Sequence, residues 1–499
     1  MNAFNPDGLK LLGVNVRHLV SDSRSVNRDD TFVAYPGSQA DGRHFIAQAI
    51  ERGANSVIWE EHGFKWNPTW SVPNLAVSDL RHQAGLIADL VYGQPSQKLW
   101  MVGITGTNGK TSISHWLAKS FGALGRKSAL IGTLGNGFPE ALRATANTTP
   151  DALIVHGLLA EYEQQGARAA VMEVSSHALT QGRVNGVHFD VALLTNLTRD
   201  HLDFHGDMQS YAAAKKRLFD WASLKYAVLN LDDMFGAELA EQLQDASVEV
   251  IGYGLNDDSL KMAERLGIRM VYGSLTQMDA QGLTLQLHTS WGAAALCSRL
   301  IGSFNASNLL GALAVLLASE VRIDDAAREL GLQKAVAGRM QTLGGKGLPT
   351  VVVDYAHTPD ALDKVLTTVR EVTESAGGKV ICVFGCGGDR DRGKRPMMGT
   401  VASKLADVRI ITSDNPRSEE AAEIVSEIAA GMQGEYQVIE DRAKAITLAI
   451  ANARHIDTVL LAGKGHENYQ EIKGVRYPFS DSEIAHRALS MWSTEEQRQ

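Results

Sequence analysis

The stretch Gly103-Ile-Thr-Gly-Thr-Asn-Gly-Lys-Thr-Ser112 joins an apolar run to a helical pattern and decides the fold. The apolar run covers residues 99–105, and past the loop the apolar residues recur on one side of a helix. Glycines let a backbone fold closely around phosphate groups and direct N–H groups at them. The start of a helix adds the positive end of a dipole. The stretch therefore predicts a phosphate-binding loop between a strand and a helix.

The loop departs from the strict G-x-x-x-x-G-K-[ST] pattern, because Ile104 stands where that pattern has its first glycine. In a phosphate-binding loop Lys110 would reach the β- and γ-phosphates, and the Thr111 hydroxyl would ligate Mg²⁺. The alternative is a glycine-rich helix start with an incidental lysine. The nucleotide-binding residues predicted here are Gly106, Thr107, Asn108, Gly109, Lys110, Thr111 and Ser112.

Apolar runs alternate with helix-length segments on the C-terminal side of the loop, which is typical of mostly parallel sheets with helices on both faces. The runs cover residues 169–174, 191–197, 226–229, 248–251, 351–355, 380–384, 408–412 and 458–462. A polar stretch at 92–98 and a glycine-rich stretch at 338–349 mark the boundaries. We therefore expect three α/β domains: a smaller N-terminal domain at 1–96, a central P-loop mononucleotide-binding parallel sheet at 97–336 and a Rossmann-like domain at 337–499.

Composition excludes several classes of protein. A net charge of −9 disfavours a nucleic-acid partner, which usually requires a basic surface. The longest aliphatic run, residues 312–318, is far shorter than the ~20 residues that span a bilayer, so no membrane insertion is expected. The 499 residues contain three cysteines, which indicates a reducing compartment and a cytoplasmic location. We expect Cys382 and Cys386 to be buried as small apolar residues.

Polar clusters follow the predicted strands of the central domain: Glu173 to His177, Thr195 to Asp203, and Tyr211 to Lys215 on a later helix. Each cluster alone is more simply explained by hydrogen bonds within the fold. Together, beside a phosphate loop, they favour a metal-assisted phosphoryl site. An ATPase or GTPase switch should instead have an apolar strand that ends in the Asp that holds Mg²⁺.

Four motifs in this order resemble the Mur ligase family. They are Gly106-Thr-Asn-Gly-Lys-Thr111, Glu173-Val-Ser-Ser-His177, Thr195-Asn-Leu to Asp200-His201-Leu-Asp203, and Gly302-x-Phe-Asn305-x-x-Asn308. The resemblance runs from about Asp22 to Ile484. It implies an ADP-forming, amide-bond-forming enzyme of peptidoglycan precursor synthesis that uses ATP and Mg²⁺, expected to be a monomer.

The resemblance also implies roles for residues. Lys110, Glu173, His201 and Lys215 are the expected catalytic residues; Thr111, Glu173, His201 and Lys215 are expected at the metal site, with Lys215 carbamylated; Asn305, Arg339 and Asp354 are expected to contact the nucleotide. From the sequence alone, Lys215 could also be an exposed helix lysine and Asn305 a helix N-cap. No role is predicted for Gln341.

The expected partners are a UDP-N-acetylmuramoyl-dipeptide and meso-diaminopimelate. The resemblance implies that the first is bound by Ser21, Ser23, Ser38, Gln39, Ala40, Asn147, Thr148, Thr149, Ser175, Gln181 and Arg183. For the second it implies Arg390, Asp414, Asn415, Pro416, Arg417, Gly463 and Glu467.

A physical reason favours diaminopimelate over lysine. Diaminopimelate has a second carboxylate, which the Arg417 guanidinium could grip with two hydrogen bonds. Lysine would leave that guanidinium unpaired. The other interpretation of Arg417 is a surface arginine after a turn. The other interpretations of the whole chain are a lysine-adding homologue, a folylpolyglutamate synthetase, a P-loop ATPase without ligase activity and a non-enzymatic binding protein.

Overall fold

The structure is a computed structural model that describes residues 7–10, 12–37, 40–279 and 281–492. It has an N-terminal, a central and a C-terminal α/β unit, as the sequence predicts. Among the described residues, no helix is both long enough and apolar enough to cross a membrane.

The N-terminal unit is a four-stranded parallel sheet in the order β1-β2-β3-β4. Its strands are β1 Leu19–Val20, β2 Thr31–Ala34, β3 Ser56–Glu60 and β4 Asn74–Val77, and its helices are α1 Asp7–Lys10, α2 Ile46–Glu51 and α3 Leu80–Val91. Strands β2 and β3 are buried along their whole length, because apolar clusters cover both faces of the sheet. This unit meets the central unit where α3 packs against the helix Ala152–Gln164 of the central unit.

The central unit is built on one sheet of eleven strands. The strands are β5 Trp100–Thr105, β6 Ser128–Gly132, β7 Gly135–Phe138, β8 Ala141–Arg143, β9 Ala169–Glu173, β10 Val191–Leu194, β11 Tyr226–Asn230, β12 Glu249–Gly254, β13 Arg269–Asp279, β14 Gly282–Thr289 and β15 Gly292–Ser298. Their order is β15-β14-β13-β12-β11-β10-β5-β9-β6-β7-β8. The pairings from β13 to β6 are parallel, and the two strands added at each edge are antiparallel.

Helices cover both faces of this sheet, as expected for a doubly wound fold. They are α4 Lys110–Ala123, α5 Ala152–Gln164, α6 Ser176–Thr180, α7 Leu202–His205, α8 Met208–Lys216, α9 Met234–Gln242, α10 Asp257–Leu266, α11 Ser303–Ala318 and α12 Ile323–Gly331. Alternate residues of β5 enter separate cores: Val102 and Ile104 pack under α4 and α11, whereas Met101 lies in the opposite core. The aliphatic run 312–318 is the buried C-terminal half of α11.

The C-terminal unit has a six-stranded sheet in the order β16-β17-β21-β18-β19-β20, parallel except for β16. The strands are β16 Gln341–Gly344, β17 Thr350–Asp354, β18 Val380–Phe384, β19 Val408–Ile411, β20 Gln437–Val438 and β21 Thr458–Ala462, and a separate hairpin consists of β22 Tyr469–Ile472 and β23 Val475–Pro478. The helices are α13 Pro359–Ser375, α14 Lys394–Leu405, α15 Ala421–Ala429, α16 Arg442–Asn452 and α17 Asp481–Ser490. Cys382 and Cys386 are buried as predicted, and burial raises the pKa of each thiol to about 12.

The sheet order places the predicted site residues. Strand β5 lies between β9 and β10, so the carboxyl ends of these three neighbours meet at one edge. The phosphate loop follows β5, Glu173 ends β9, and the 195–203 segment follows β10. Ligands of such sheets bind outside the carboxyl ends of the strands.

Candidate active site

The phosphate loop requires glycine at two positions. Gly106 has φ 140° and Gly109 has φ 89°, a region that side chains other than glycine rarely adopt. A Cβ at Gly106 would overlap the Thr195 hydroxyl, and one at Gly109 would overlap the Asn308 amide oxygen. The loop is thus held closely between the end of β10 and helix α11, with the N-terminus of α4 facing the site.

Two lysine side chains meet on one carbonyl oxygen of this loop. Lys110 Nζ donates to the Gly106 oxygen at 2.7 Å and to the Thr107 oxygen at 2.9 Å, and Lys215 Nζ donates to the same Gly106 oxygen at 2.8 Å. Burial lowers the pKa of both lysines; the charge of Lys110 lowers the pKa of Lys215 further, to well below its ordinary value. Lys215 is 1% exposed, so the alternative of an exposed helix lysine is wrong.

Glu173 is a fully buried carboxylate beside the loop. Its Oε2 accepts hydrogen bonds from the hydroxyls of Thr111 and Thr133, each at 3.0 Å, and its Oε1 accepts from the Thr133 N–H at 2.9 Å. A Cβ at Gly132 would overlap the same carboxylate, so the chain approaches it closely from β6 as well. These contacts fix the Glu173 oxygens next to the first turn of α4.

His201 lies on the other side of the loop, in a cluster of imidazoles. Its ring is 4.8 Å from the His177 ring, and its Nε2 is 3.4 Å from Asp200 Oδ2. Burial lowers the pKa of His201 to about 3, His177 adds to this effect, and Asp200 opposes it. The imidazole is therefore neutral at physiological pH, which is the form that ligates metal ions.

The oxygen donors suit a magnesium ion, which prefers oxygen ligands and retains waters. The Thr111 hydroxyl and the Glu173 carboxylate are already adjacent, 3.0 Å apart. The four predicted metal-site residues are not gathered into one group, since His201 pairs with Asp200 and Lys215 with a carbonyl. Within the described ranges, no three His, Cys, Asp or Glu side chains are grouped as metal ligands.

A cleft of about 420 Å³ opens from the loop between the central and C-terminal units. Six predicted nucleotide-binding residues line it: Asn108, Gly109, Ser112, Asn305, Arg339 and Asp354. The Arg339 guanidinium lies 4.4 Å from the centre of the Tyr355 ring and donates to the Thr111 hydroxyl at 3.3 Å. Burial raises the pKa of Asp354, whose carboxylate accepts the Met340 N–H at 2.7 Å.

The interpretation of Asn305 as a helix N-cap is wrong. The capping residue of α11 is Gly302, and no side chain caps that end of the helix. Asn305 lies two residues inside α11, where its amide nitrogen donates to the Ile301 carbonyl at 2.8 Å. Asn305 thus lines the cleft with its amide nitrogen bonded to the backbone that precedes α11.

Polar contacts join the central and C-terminal units around the loop, and the sequence did not predict them. Arg199 forms an ion pair with Asp391 at 2.9 Å. The Asp200 carboxylate lies 3.5 Å from His357 and 3.9 Å from Lys394. These partners lie far apart in the chain, so no spacing pattern indicates them. They hold the C-terminal unit over the phosphate loop.

A second cleft, of about 570 Å³, lies in the N-terminal unit. Ser21, Ser23 and Ala40 line it, together with Tyr35 and other residues. The Ser23 hydroxyl donates to Gln48 at 2.7 Å. The other two residues predicted here, Ser38 and Gln39, lie outside the described residues.

Residues predicted to bind the peptide substrate lie between these clefts. The Thr149 hydroxyl donates to the Glu173 carbonyl at 2.7 Å and accepts the Ser175 N–H at 3.1 Å. Arg183 donates to the Thr149 carbonyl at 2.8 Å and to Gln181 at 2.9 Å. Two further residues of the set lie in the same segment: the Thr148 hydroxyl is 3.1 Å from that of Thr133, and the Asn147 carbonyl accepts the Thr145 hydroxyl at 3.0 Å.

The predicted amino-acid site lies at the carboxyl ends of β18, β19 and β21. Arg417 adopts φ 53° and donates from its guanidinium to the Gly388 carbonyl at 2.6 Å. Among the described residues, neither Arg417 nor Arg390 has a carboxylate within 4.0 Å. Arg390 is exposed and bonds to the Asp389 carbonyl. Neither guanidinium group thus forms an ion pair with a carboxylate of the described residues.

The other residues of this site form a compact network. The buried Asn415 donates to Glu467 Oε2 at 2.8 Å. A Cβ at Gly463 would lie 2.6 Å from Asp414 Oδ2, and a Cβ at Gly388 would overlap the Pro416 carbonyl. The loop that ends in Arg417 is therefore packed against both neighbouring strand ends.

Two buried cations under this network were missed by sequence reasoning. Arg395 is 0% exposed and forms ion pairs with Glu419 and Glu427 at 2.8 Å. Lys464 is also 0% exposed and contacts Asn415 and Glu467. Lys464 stands in the motif Gly463-Lys-Gly-His-Glu467, so its position between two predicted site residues was an available signal.

The loop, the two-unit nucleotide cleft and the separate N-terminal cleft are those of a nucleotide-dependent ligase, and the chain belongs to the Mur ligase family. Family models match all three units: the Mur ligase middle domain at 104–316, the Mur ligase, glutamate ligase domain at 338–465, and the Mur ligase family, catalytic domain at 15–92. The chain is therefore a ligase.

Individual relatives share one name. The UDP-N-acetylmuramoyl-L-alanyl-D-glutamate–2,6-diaminopimelate ligase of Nitrosomonas europaea is 51% identical over 491 residues, which cover 96% of this chain and 94% of the relative. The ligase of the same name from Chromobacterium violaceum is also 51% identical and covers 98% and 97% of the two chains. A solved structure of an enzyme with this name matches with a TM-score of 0.66 and 35% identity, over 97% of this chain and 96% of the other.

Proposed function

We propose that this chain joins meso-2,6-diaminopimelate to UDP-N-acetylmuramoyl-L-alanyl-D-glutamate, with ATP converted to ADP and phosphate. In this proposal residues 1–96 bind the uridine nucleotide, residues 97–336 bind ATP, and residues 337–499 bind the amino acid. The names of the relatives support the reaction. The observation that carries the choice of amino acid is that Arg390 and Arg417 bond to carbonyls and form no ion pair with a carboxylate of the described residues.

The first step activates a carboxylate, which is otherwise a poor electrophile. The D-glutamyl γ-carboxylate attacks the γ-phosphorus of ATP; the bond from that phosphorus to the bridging oxygen breaks, and ADP leaves. Lys110 and the N-terminus of α4 stabilise the charge on the phosphates. Thr111 and Glu173, with His201 and carbamylated Lys215 nearby, would hold a Mg²⁺, which would supply further neutralisation of the phosphate charge.

The second step forms the amide bond. The amine of diaminopimelate attacks the carbonyl carbon of the acyl phosphate, phosphate leaves, and the nitrogen loses its proton. Arg183 and Thr149 hold the peptide end, while Arg417 and Glu467 hold the amino acid. Most of the rate then comes from positioning the two substrates across the domains. The contacts of Arg199 and Asp200 with the C-terminal unit keep water away from the acyl phosphate.

Phosphate release tests this function. The enzyme, ATP and the uridine-linked dipeptide are mixed with meso-diaminopimelate, with L-lysine, or with no amino acid. We expect release only when an amino acid is present, and faster release with diaminopimelate. The product should have the mass of the dipeptide precursor plus diaminopimelate minus one water.

A matched pair of variants tests whether phosphate release depends on the phosphate-binding loop. Lys110→Met should abolish it, whereas Lys119→Met, an exposed lysine on the same helix, should not change it. Release without any amino acid would indicate a P-loop ATPase. A preference for lysine would indicate a lysine-adding homologue, and either result would refute the proposal.

A further inference from the structure

Lys464 is a buried cation beneath the proposed amino-acid site. It follows β21, its side chain is 0% exposed, and the rings of Tyr469 and Phe479 lie 5.6 and 5.9 Å from its Nζ. Burying an ammonium group is costly unless it is paired, and a well-packed apolar residue is often as stable in such a place. An apolar residue at position 464 could therefore stabilise the fold as well as lysine does.

The ammonium group of Lys464 contacts two residues of the proposed amino-acid site. Its Nζ donates to Asn415 Oδ1 at 3.0 Å and to Glu467 Oε2 at 3.0 Å. Asn415 Oδ1 also accepts the Glu471 N–H at 3.0 Å. Two donors on this oxygen fix the orientation of the amide, so its nitrogen is directed at Glu467, to which it donates at 2.8 Å. Glu467 Oε2 thus receives two hydrogen bonds, which hold the carboxylate in one orientation.

The surrounding charges show why a cation is needed. Burial raises the pKa of Asp414, but the charges of Lys464 and Arg442, the hydrogen bond from the Asn415 N–H and the charge of Arg417 together outweigh burial and lower this pKa below its ordinary value. Lys464 therefore stabilises the ionised form of the Asp414 carboxylate. Without it, the partly buried Glu467 would lose its only described ion-pair partner and would be drawn towards solvent.

We infer that Lys464 is a positioning residue for the amino-acid substrate: it holds the Glu467 carboxylate, directly and through Asn415, where an ammonium group of the diamino acid binds. Lys464 itself does not touch the substrate. This inference rests on the proposed function, because it assigns Glu467 to the substrate ammonium group.

The test is Lys464→Met, which keeps most of the length of the side chain and removes its charged Nζ. We expect the KM for meso-diaminopimelate to rise more than tenfold, while the KM values for ATP and for the uridine-linked dipeptide stay within twofold. Lys464→Gln keeps an uncharged N–H₂ donor group and should give an intermediate KM. Lys444→Met is the matched control, since Lys444 is an exposed lysine of the same domain paired with Asp441.

A double-mutant cycle separates positioning from general damage. If Lys464 acts through Glu467, then adding Lys464→Met to Glu467→Gln should raise the KM for diaminopimelate less than threefold further. Additive effects would overturn the inference, as would an unchanged KM, an equal rise in the KM for ATP, or failure of both Lys464 variants to fold. The proposed function fails separately, when the wild-type enzyme itself shows no diaminopimelate-dependent release.

Discussion

Replacing Arg417 by lysine isolates what a guanidinium group contributes to amino-acid selection. Lysine keeps the positive charge, and both residues carry the same cost of the left-handed backbone at φ 53°, so that cost cancels. What changes is the number of N–H groups at position 417 that can donate hydrogen bonds in fixed directions. In the wild type, one guanidinium nitrogen is held by the Gly388 carbonyl at 2.6 Å, and the remaining N–H groups are available to a carboxylate.

The magnitude follows from the hydrogen bonds lost. A lysine ammonium at this position would share its donors between the Gly388 carbonyl and the substrate, so at least one charge-assisted hydrogen bond disappears. Such a bond contributes about 1.5–3 kcal/mol. At about 1.4 kcal/mol for each factor of ten, the KM for meso-diaminopimelate should rise roughly 10- to 150-fold.

The assay is the initial rate of phosphate release as diaminopimelate is varied at saturating ATP and dipeptide. The KM for ATP should stay within twofold, and the preference for diaminopimelate over L-lysine should fall. Arg409→Lys is the control, since Arg409 lies in the same domain and bonds to the carbonyls of Ser403 and Glu435. A parallel rise in the KM for ATP, or less than a threefold change for diaminopimelate, would refute the reasoning.

Three further outcomes follow from the structure. Lys215→Ala should lower the rate of phosphate release at least a hundredfold. Short carboxylic acids should partly restore this rate, because they replace the anion of a carbamylated lysine. If they do not restore it, carbamylation of Lys215 is contradicted. Gly109→Ala places a Cβ against Asn308 in a left-handed backbone, so ADP binding measured by calorimetry should be lost while the thermal unfolding of the N-terminal domain is unchanged. The hydrogen bonds from Arg395 lower the pKa of Glu419 to about 2, so the stability it contributes is present above the unfolded pKa of about 4.3 and lost as pH falls towards 2. Thermal unfolding across this pH range should therefore fall less steeply in Glu419→Gln than in the wild type.

The sequence predicted the strands near the site well, for a physical reason. Buried parallel strands are continuous apolar runs, and each such run in the central and C-terminal domains ends at a polar or glycine residue. The predicted runs at 169–174 and 380–384 correspond closely to β9 Ala169–Glu173 and β18 Val380–Phe384. Since neighbouring parallel strands end at one edge of the sheet, the ends of these runs also predicted that Glu173 lies near the phosphate loop.

Other features left no comparable pattern. The strands β13 to β15 combine buried with exposed residues, so they lack the continuous burial of the central strands and were not predicted. The ion pair between Arg199 and Asp391 depends on how two domains meet, which spacing along a chain does not encode. Lys464 lies between the predicted site residues Gly463 and Glu467, yet its complete burial depends on tertiary contacts such as those with Tyr469 and Phe479.

The carbonyl oxygen of Gly106 has a consequence for the catalytic cycle. Lys110 Nζ donates hydrogen bonds to this oxygen and to the Thr107 carbonyl oxygen, so the predicted phosphate-binding lysine itself stabilises the loop. The loop then already has its binding conformation when ATP arrives. Only the Lys110 side chain has to move, from the backbone carbonyls to the phosphates, while Lys215 remains hydrogen-bonded to the Gly106 oxygen. Nucleotide exchange therefore becomes a side-chain rotation and requires no refolding of the loop, so the slow steps of turnover are expected in domain movement and product release.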